Sequence, residues 1–378
     1  VLAAVCVAPA AQARVLKAGI TRVTTGVATL EGVEVRLAWA DDGREGTLSL
    51  RAARVDAPAL GYRFRALAWQ CPLRRDGAGG WRCDGALRAA GGPPMRLSVD
   101  LGTATTDAVL ARGGARIGVH RTAAAPDDTR IDLTAVPAAW AQALLSQAWA
   151  DGRFSSGTLD GRLTVHVPTR GPLRVDGTLA ARDLGIDTPD GTLAAAGLGL
   201  RTRLDWRSAG DRSTLVVDGT LHGGELLAGP HYVLLPPTPV VLAMRADGAP
   251  SGWRIPEFRW QDGAVLHATG AFDLAPDGTL RAAEVAAASD DTAPLPTRYL
   301  SGPLGGYGLS ALTLDGALAA ALRLDEEGLA GLDASFTALT VTAPERFRFD
   351  RIDGTVRFSR DAPLPSAIAW AGGELYAL

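Results

Sequence analysis

Several residue types are scarce in this sequence of 378 residues, and each shortage narrows what the protein can be. Lys17 is the only lysine, asparagine is absent, and there are only three cysteines. The net charge is −3 and no basic tract occurs, so nucleic acid is not expected as a partner. Apart from the apolar N-terminus, no run of about 18 apolar residues is present, and the sequence therefore predicts no further membrane-spanning helix.

Signatures of catalytic and metal sites are also missing. No nucleophile elbow, phosphate-binding loop, dinucleotide fingerprint or metal-ligand spacing of histidines occurs. Adjacent carboxylates such as Asp127 and Asp128 lie near predicted turns, and neighbouring residues on a strand point in opposite directions. We therefore predict that the protein is not an enzyme and uses no metal or cofactor. A carboxylate pair built from distant strands is invisible in a sequence, so a secreted glycan hydrolase or lyase stays an alternative.

The N-terminus is typical of an exported protein. Residues 1–13 form an apolar run that ends in Ala11-Gln12-Ala13, and this small-x-small pattern predicts a signal-peptide remnant cut before Arg14. An alanine-rich first strand is the alternative interpretation of the same residues.

Two of the three cysteines lie close together, in the stretch WQCPLRRDGAGGWRCDG. Strand-like residues flank a glycine-rich turn there, so we predict a disulfide between Cys71 and Cys83 that closes a hairpin. A metal site is the less favoured alternative, because no histidine is near.

Most of the chain alternates apolar and polar residues with period two, which predicts β-strands. Helical spacing is clear only over 136–153, where Trp140, Leu144, Leu145 and Trp149 recur, and a shorter helix is expected at 295–305. The predicted organisation is a β region over 14–135 with the hairpin disulfide, a short amphipathic helix over 136–152, and a continuing β region over 153–378 that is truncated at its C-terminus.

An Asp-Gly phrase recurs along the chain, as in LRVDGTLAA at 173–181. Asp-Gly usually marks a hairpin turn. In most copies, however, the alternation runs through the phrase without a change of phase, which predicts one continuous strand with glycine on its apolar face. Only the copies after Pro189 and Pro276 are predicted to be turns.

Glycine on the apolar face of a strand weakens packing but permits a bend or a close backbone approach. We therefore predict an all-β fold: an elongated, curved and twisted antiparallel β-sheet that forms a hydrophobic groove, with one or two short helices. A closed barrel or sandwich with glycine at its corners is the alternative. The glycines expected to bend the groove are Gly161, Gly177, Gly219, Gly316 and Gly354.

These features resemble a known family. The short strands with L-x-V/L-D-G-x-L phrases, the Trp/Leu helix, the passage LPTRYL…LTLDG at 295–316 and the ending IAWAGGELYAL are similar to the AsmA-like proteins of the Gram-negative envelope, most nearly the YdbH type, which is related to TamB and YhdP. The resemblance implies a periplasmic protein whose hydrophobic β-groove shields phospholipid acyl chains in transit between the inner and outer membranes.

The resemblance also implies partners and a lining. The expected partners are phospholipid acyl chains and inner- or outer-membrane or envelope proteins, among them a small outer-membrane lipoprotein. The lining is expected to consist of apolar residues that share one strand phase: Leu163, Val165, Leu173, Val175, Leu179, Leu198, Leu200, Leu204, Trp206, Leu215, Val217, Leu266, Phe272, Leu314, Leu318, Leu322, Val356 and Phe358. A β-sandwich or solenoid envelope protein that binds protein or glycan is the alternative function.

Overall fold

A computed structural model describes residues 14–24, 28–39, 44–57, 62–148 and 151–376. The predicted signal-peptide remnant at 1–13 lies outside these described residues. The chain divides into two compact units. Unit 1 comprises residues 1–136 and 140–150, and unit 2 comprises 137–139 and 151–378.

Unit 1 is built from strands that pair with their neighbours in the chain, all antiparallel. Its strands are β1 (Arg14–Thr24), β2 (Thr29–Trp39), β3 (Glu45–Ala57), β4 (Tyr62–Arg75), β5 (Trp81–Arg88), β6 (Met95–Leu101), β7 (Thr105–Arg112), β8 (Ala115–Thr122) and β9 (Ala125–Pro137).

Unit 2 continues in the same antiparallel manner, with two local departures. The hairpin of β14 and β15 branches from β12, so that β13 pairs directly with β16, and β22 pairs with both β23 and β24. The strands are β10 (Arg153–His166), β11 (Leu173–Asp187), β12 (Leu193–Ala209), β13 (Arg212–His222), β14 (Glu225–Ala228), β15 (His231–Leu234), β16 (Val240–Ala249), β17 (Gly252–Asp262), β18 (Leu266–Leu274), β19 (Leu280–Ser289), β20 (Thr313–Asp325), β21 (Gly328–Ala343), β22 (Phe347–Ser359), β23 (Ala367–Ala369) and β24 (Gly372–Leu375).

The predicted fold class is confirmed. The chain is all-β, the strand pairs are antiparallel, and among the described residues neither unit pairs its first strand with its last to close a barrel. Period-two alternation carries the fold because it gives each strand one apolar and one polar face, and antiparallel pairing places like faces side by side.

The Asp-Gly phrase has the two uses that the alternation predicts. Gly161, Gly177, Gly219, Gly316 and Gly354 all lie inside strands. The two copies that follow a proline lie in the connections between β11 and β12 and between β18 and β19. Pro fixes its own φ and lacks an N–H, so it favours the turn over the strand.

The helices are shorter than the sequence predicts. A 3₁₀ turn at Ala138–Ala141 leads into α1 (Gln142–Ala148), while Val136 and Pro137 belong to β9. Val136 is only 3% exposed, so its burial within the strand outweighs the helical spacing that predicted a start at 136. The second expected helix is present as two short pieces, α2 (Leu295–Arg298) and α3 (Ser301–Gly306). Trp149 lies outside the described residues.

The predicted disulfide is confirmed and belongs to the core of unit 1. Cys71 in β4 is bonded to Cys83 in β5 with a Cα–Cα distance of 5.4 Å, and both are buried beside Trp69. The indole N–H of Trp69 donates to the carbonyl of Leu97 at 3.2 Å, which ties β4 to β6 across this core.

We expect the Cys71→Ser, Cys83→Ser double variant to lose about 3 kcal/mol of unfolding free energy, because the disulfide restricts the unfolded chain and fills the core. Chemical denaturation of the wild type and the variant measures this difference. A thiol titration of the unreduced, denatured wild type is the control, and reactive thiols at Cys71 and Cys83 would contradict the pairing.

Candidate functional site: the apolar face of unit 2

One face of the unit 2 sheet carries a row of apolar residues, here called the central row, that crosses eleven strands from β10 to β22. Directly paired residues of antiparallel strands point to the same side, so the pairing register alone defines the row. At a strand spacing of about 4.8 Å it extends about 48 Å along the sheet. Its members are Leu163, Gly177, Leu204, Val217, Met244, Phe258, Gly270, Val285, Leu322, Leu332 and Phe358.

A second row, two residues along each strand, crosses the same eleven strands. It contains small or apolar residues and one threonine, and none of its members is charged. In order these are Gly161, Leu179, Thr202, Gly219, Leu242, Trp260, Ala268, Ala287, Ala320, Ala334 and Val356. The two rows together form a continuous uncharged surface across the sheet, which we call the apolar face.

The predicted lining residues that lie outside these rows occupy the two margins of the face. On one side Val165, Val175, Trp206 and Leu215 are directly paired, and Phe272 extends the same margin. Leu173 lies next along β11, opposite Ser208. On the other side are Leu198, Leu200, Leu266, Leu314 and Leu318, and of these Leu198 and Leu314 are buried.

The sequence did not identify five members of the central row: Met244, Phe258, Gly270, Val285 and Leu332. Val285 is in phase with Ala283 and Ala287. Alanines also occupy the opposite phase, so the alternation of apolar and polar residues is not visible there. Phe258 follows a bulge at which Ile255 and Phe258 step out of register with β18, so strict alternation assigns Phe258 to the wrong face. Phe258 packs edge-on against Phe272 with the ring centres 5.7 Å apart.

Side chains of the central row are half-buried rather than enclosed, and Phe358 is 42% exposed. All the described strands of unit 2 belong to one sheet, so no second sheet within those residues covers the row. Soluble monomers rarely leave an apolar surface of this length open to water.

The opposite face of the same strands is charged. Asp205 accepts hydrogen bonds from Arg174 at 2.8 Å and from Arg207 at 3.1 Å, and Arg357 pairs with Asp333 at 3.0 Å. The hydrogen bond from the Arg207 guanidinium, followed by that from Arg174, holds the pKa of Asp205 below its usual range. The two faces therefore have opposite affinities for water.

An open depression of ≈ 950 Å³ is lined by residues of both strand phases. Seven central-row residues line it: Met244, Phe258, Gly270, Val285, Leu322, Leu332 and Phe358. Arg245 and Glu284 are also on its wall. The depression therefore borders both the central row and the charged residues of the same strands, and its mixed charges do not indicate one class of ligand.

Strand glycines allow close approach of neighbouring backbones. Gly177 has a φ of +148°, and a Cβ built there would collide with the carbonyl of Arg162. Gly316 has a φ of +127°, and its Cβ would lie 2.7 Å from the carbonyl of Ala338. Both positions therefore require glycine. That these glycines bend a groove stays a prediction.

Comparison with known proteins adds no assignment. A scan against models of known families finds no match, and a search of curated proteins finds none either. Among the described residues no helix is long and apolar enough to cross a membrane. The same residues contain no group of three or more histidine, cysteine or carboxylate side chains placed to hold a metal ion.

Gly177→Val should destabilise the protein by about 2–3 kcal/mol, because a branched side chain at this φ strains the backbone and meets β10. Thr178→Val is the matched control, since Thr178 is exposed on the next position of β11. Urea unfolding measures both variants. Equal stability of the two would show that the close approach at Gly177 is unimportant.

The Asp205 pairing predicts a loss of stability in acid. Because its folded pKa is lowered, Asp205 stabilises the fold above its unfolded pKa, and this contribution disappears as the pH falls through the folded value. The melting temperature of Asp205→Asn should therefore fall less between pH 5 and pH 2 than that of the wild type. Asp211→Asn is the control, because Asp211 is an exposed turn residue. The melting temperature of this variant should fall with pH as much as that of the wild type.

Proposed function

We propose that this protein binds phospholipid acyl chains along the apolar face of unit 2 and shields them from water during transfer between the inner and outer membranes. The observation that carries the proposal is the pair of uncharged rows that cross eleven strands without interruption. A surface of this kind binds by burying area, so no single residue is essential.

The energetics favour an acyl chain as the occupant. Exposing one methylene group to water costs about 0.8 kcal/mol, and an extended apolar surface removes much of that cost without covalent chemistry. The two rows carry no hydrogen-bonding side chains apart from Thr202 and the indole of Trp260. A polymer with many hydroxyl or amide groups, such as a glycan, would leave those groups unpaired there.

Breaks in the rows also suit a flexible chain. Gly177 and Gly270 interrupt the central row. In the second row, Ala268, Ala287 and Ala320 have short side chains that project little from the sheet. Small residues between larger ones make a shallow surface that can follow the many conformations of an acyl chain.

The disulfide between Cys71 and Cys83 is typical of an oxidising compartment, and it supports a periplasmic location. The resemblance to AsmA-like proteins supports the same compartment and the same cargo. In this proposal the partners are membrane or envelope proteins that deliver and receive the lipid. The transfer of the lipid requires no catalysis and no cofactor.

Leu204→Asp should reduce lipid capture about tenfold, because a carboxylate in the central row must lose its water when an acyl chain covers it. Arg203→Asp is the matched control, since it places the same group one residue away on the charged face. The readout is total labelling of purified protein by a phospholipid with a diazirine in its acyl chain, supplied in phosphatidylcholine vesicles.

Mass spectrometry of lipids that purify with the intact chain provides an independent test. Phospholipid on the wild type, reduced in Leu204→Asp and kept in Arg203→Asp, is the expected result. Absence of lipid from the wild type in both assays would overturn the proposal and favour a structural or protein-binding role.

A further inference from the structure

One margin of the apolar face is covered by the segment 290–312, which joins β19 to β20 and contains α2 and α3. We call this segment the cover. Leu295 of α2 is only 4% exposed and lies in one core cluster with Val265, Leu314 and Leu339. The margin residues Leu266 and Leu318 pack around this cluster, as do Phe336 and Ile352.

A buried polar network fixes the cover to the sheet. Asp262, at the end of β17, is 3% exposed and accepts a hydrogen bond from Arg298 Nη1 at 2.8 Å and one from the Tyr299 hydroxyl at 2.9 Å. The Trp260 indole N–H donates to the same hydroxyl at 3.1 Å. Arg298 compensates the buried carboxylate, so the network holds only while α2 stays in place.

Further contacts attach both ends of the cover. The fully buried Thr292 donates from its hydroxyl to the carbonyl of Gly316 in β20 at 3.1 Å. At the other end, Gly302 packs so tightly against the carbonyl of Pro230, before β15, that any side chain there would collide. The cover therefore reaches from β20 to the β14–β15 hairpin along one margin of unit 2.

Packing against the core cluster changes along a single strand and marks where the cover ends. Leu314 in β20 is 8% exposed and lies within the core cluster, and Leu318 packs against that cluster. Leu322, four residues further on the same face, belongs to the half-buried central row and has no part in the cluster. The boundary of the open surface thus falls between Leu318 and Leu322.

We propose that the cover sets the lateral limit of the acyl-binding surface, with the Asp262–Arg298–Tyr299 network as its latch. This inference rests on the proposed function. Acyl chains then contact the central row at positions such as Val285 and Leu322. Leu314 is buried in the core cluster, and the half-buried Leu266 and Leu318 pack against it and are withheld from lipid. Arg298 is a positioning residue that acts through α2.

The test is to locate the adducts of the diazirine phospholipid on the wild-type chain by peptide fragmentation. The expected result is at least about tenfold more label on Leu322 and Val285 than on Leu318 and Leu266, because the closed cover excludes the probe. Equal labelling of Leu318 and Leu322 would overturn the inference while leaving the proposed function intact. No label anywhere in the chain would instead overturn the proposed function, and with it this inference.

Arg298→Gln tests the latch. It should raise labelling of Leu318 several-fold while labelling of Leu322 stays the same, a change of distribution that general loss of stability would not produce. Arg281→Gln is the matched control, because Arg281 is outside the cover and donates a hydrogen bond to the carbonyl of Ser251. Tyr299→Phe, which keeps the ring and removes the hydroxyl, should give a smaller shift in the same direction. An unchanged distribution in a folded Arg298→Gln protein would show that the network is not the latch.

Discussion

Antiparallel register is the constraint on which the architecture depends. Each strand alternates its side chains between two faces, and direct pairing carries the phase of one strand to the next. A slip of one residue between two strands would exchange the faces. The uninterrupted sequence of pairs from Leu163 to Phe358 therefore requires every connection in unit 2 to preserve phase, and the central row is the product of that requirement.

Local irregularities are placed where they preserve this phase. At the bulge between β17 and β18 the chain gains a residue, and Ile255 and Phe258 still present their side chains beside Phe272 and Gly270. Glycines serve the same purpose at Gly177 and Gly316, where neighbouring backbones approach more closely than a Cβ permits. The register tolerates irregular backbone as long as the two faces stay distinct.

The sequence predicted the fold class, the strand positions of the Asp-Gly phrases and the disulfide, because each depends on residues close together in the chain. It located Leu204 and Val217 on one face by alternation alone. It missed Phe258, because a bulge changes the phase, and it began the first helix too early, because burial of Val136 is a tertiary effect. The latch joins Asp262 to Arg298, which are 36 positions apart in the sequence. Local sequence patterns cannot predict a contact between residues so far apart.

The cover is an insertion between two strands that already pair with each other. β19 and β20 form their ladder from Ala282 opposite Asp325 to Ser289 opposite Leu318, independently of what connects them. Length and composition of the intervening segment can therefore vary without disturbing the ladder. A chain of this design can widen or narrow its uncharged surface by changing one connection, while the strands that form that surface remain as they are.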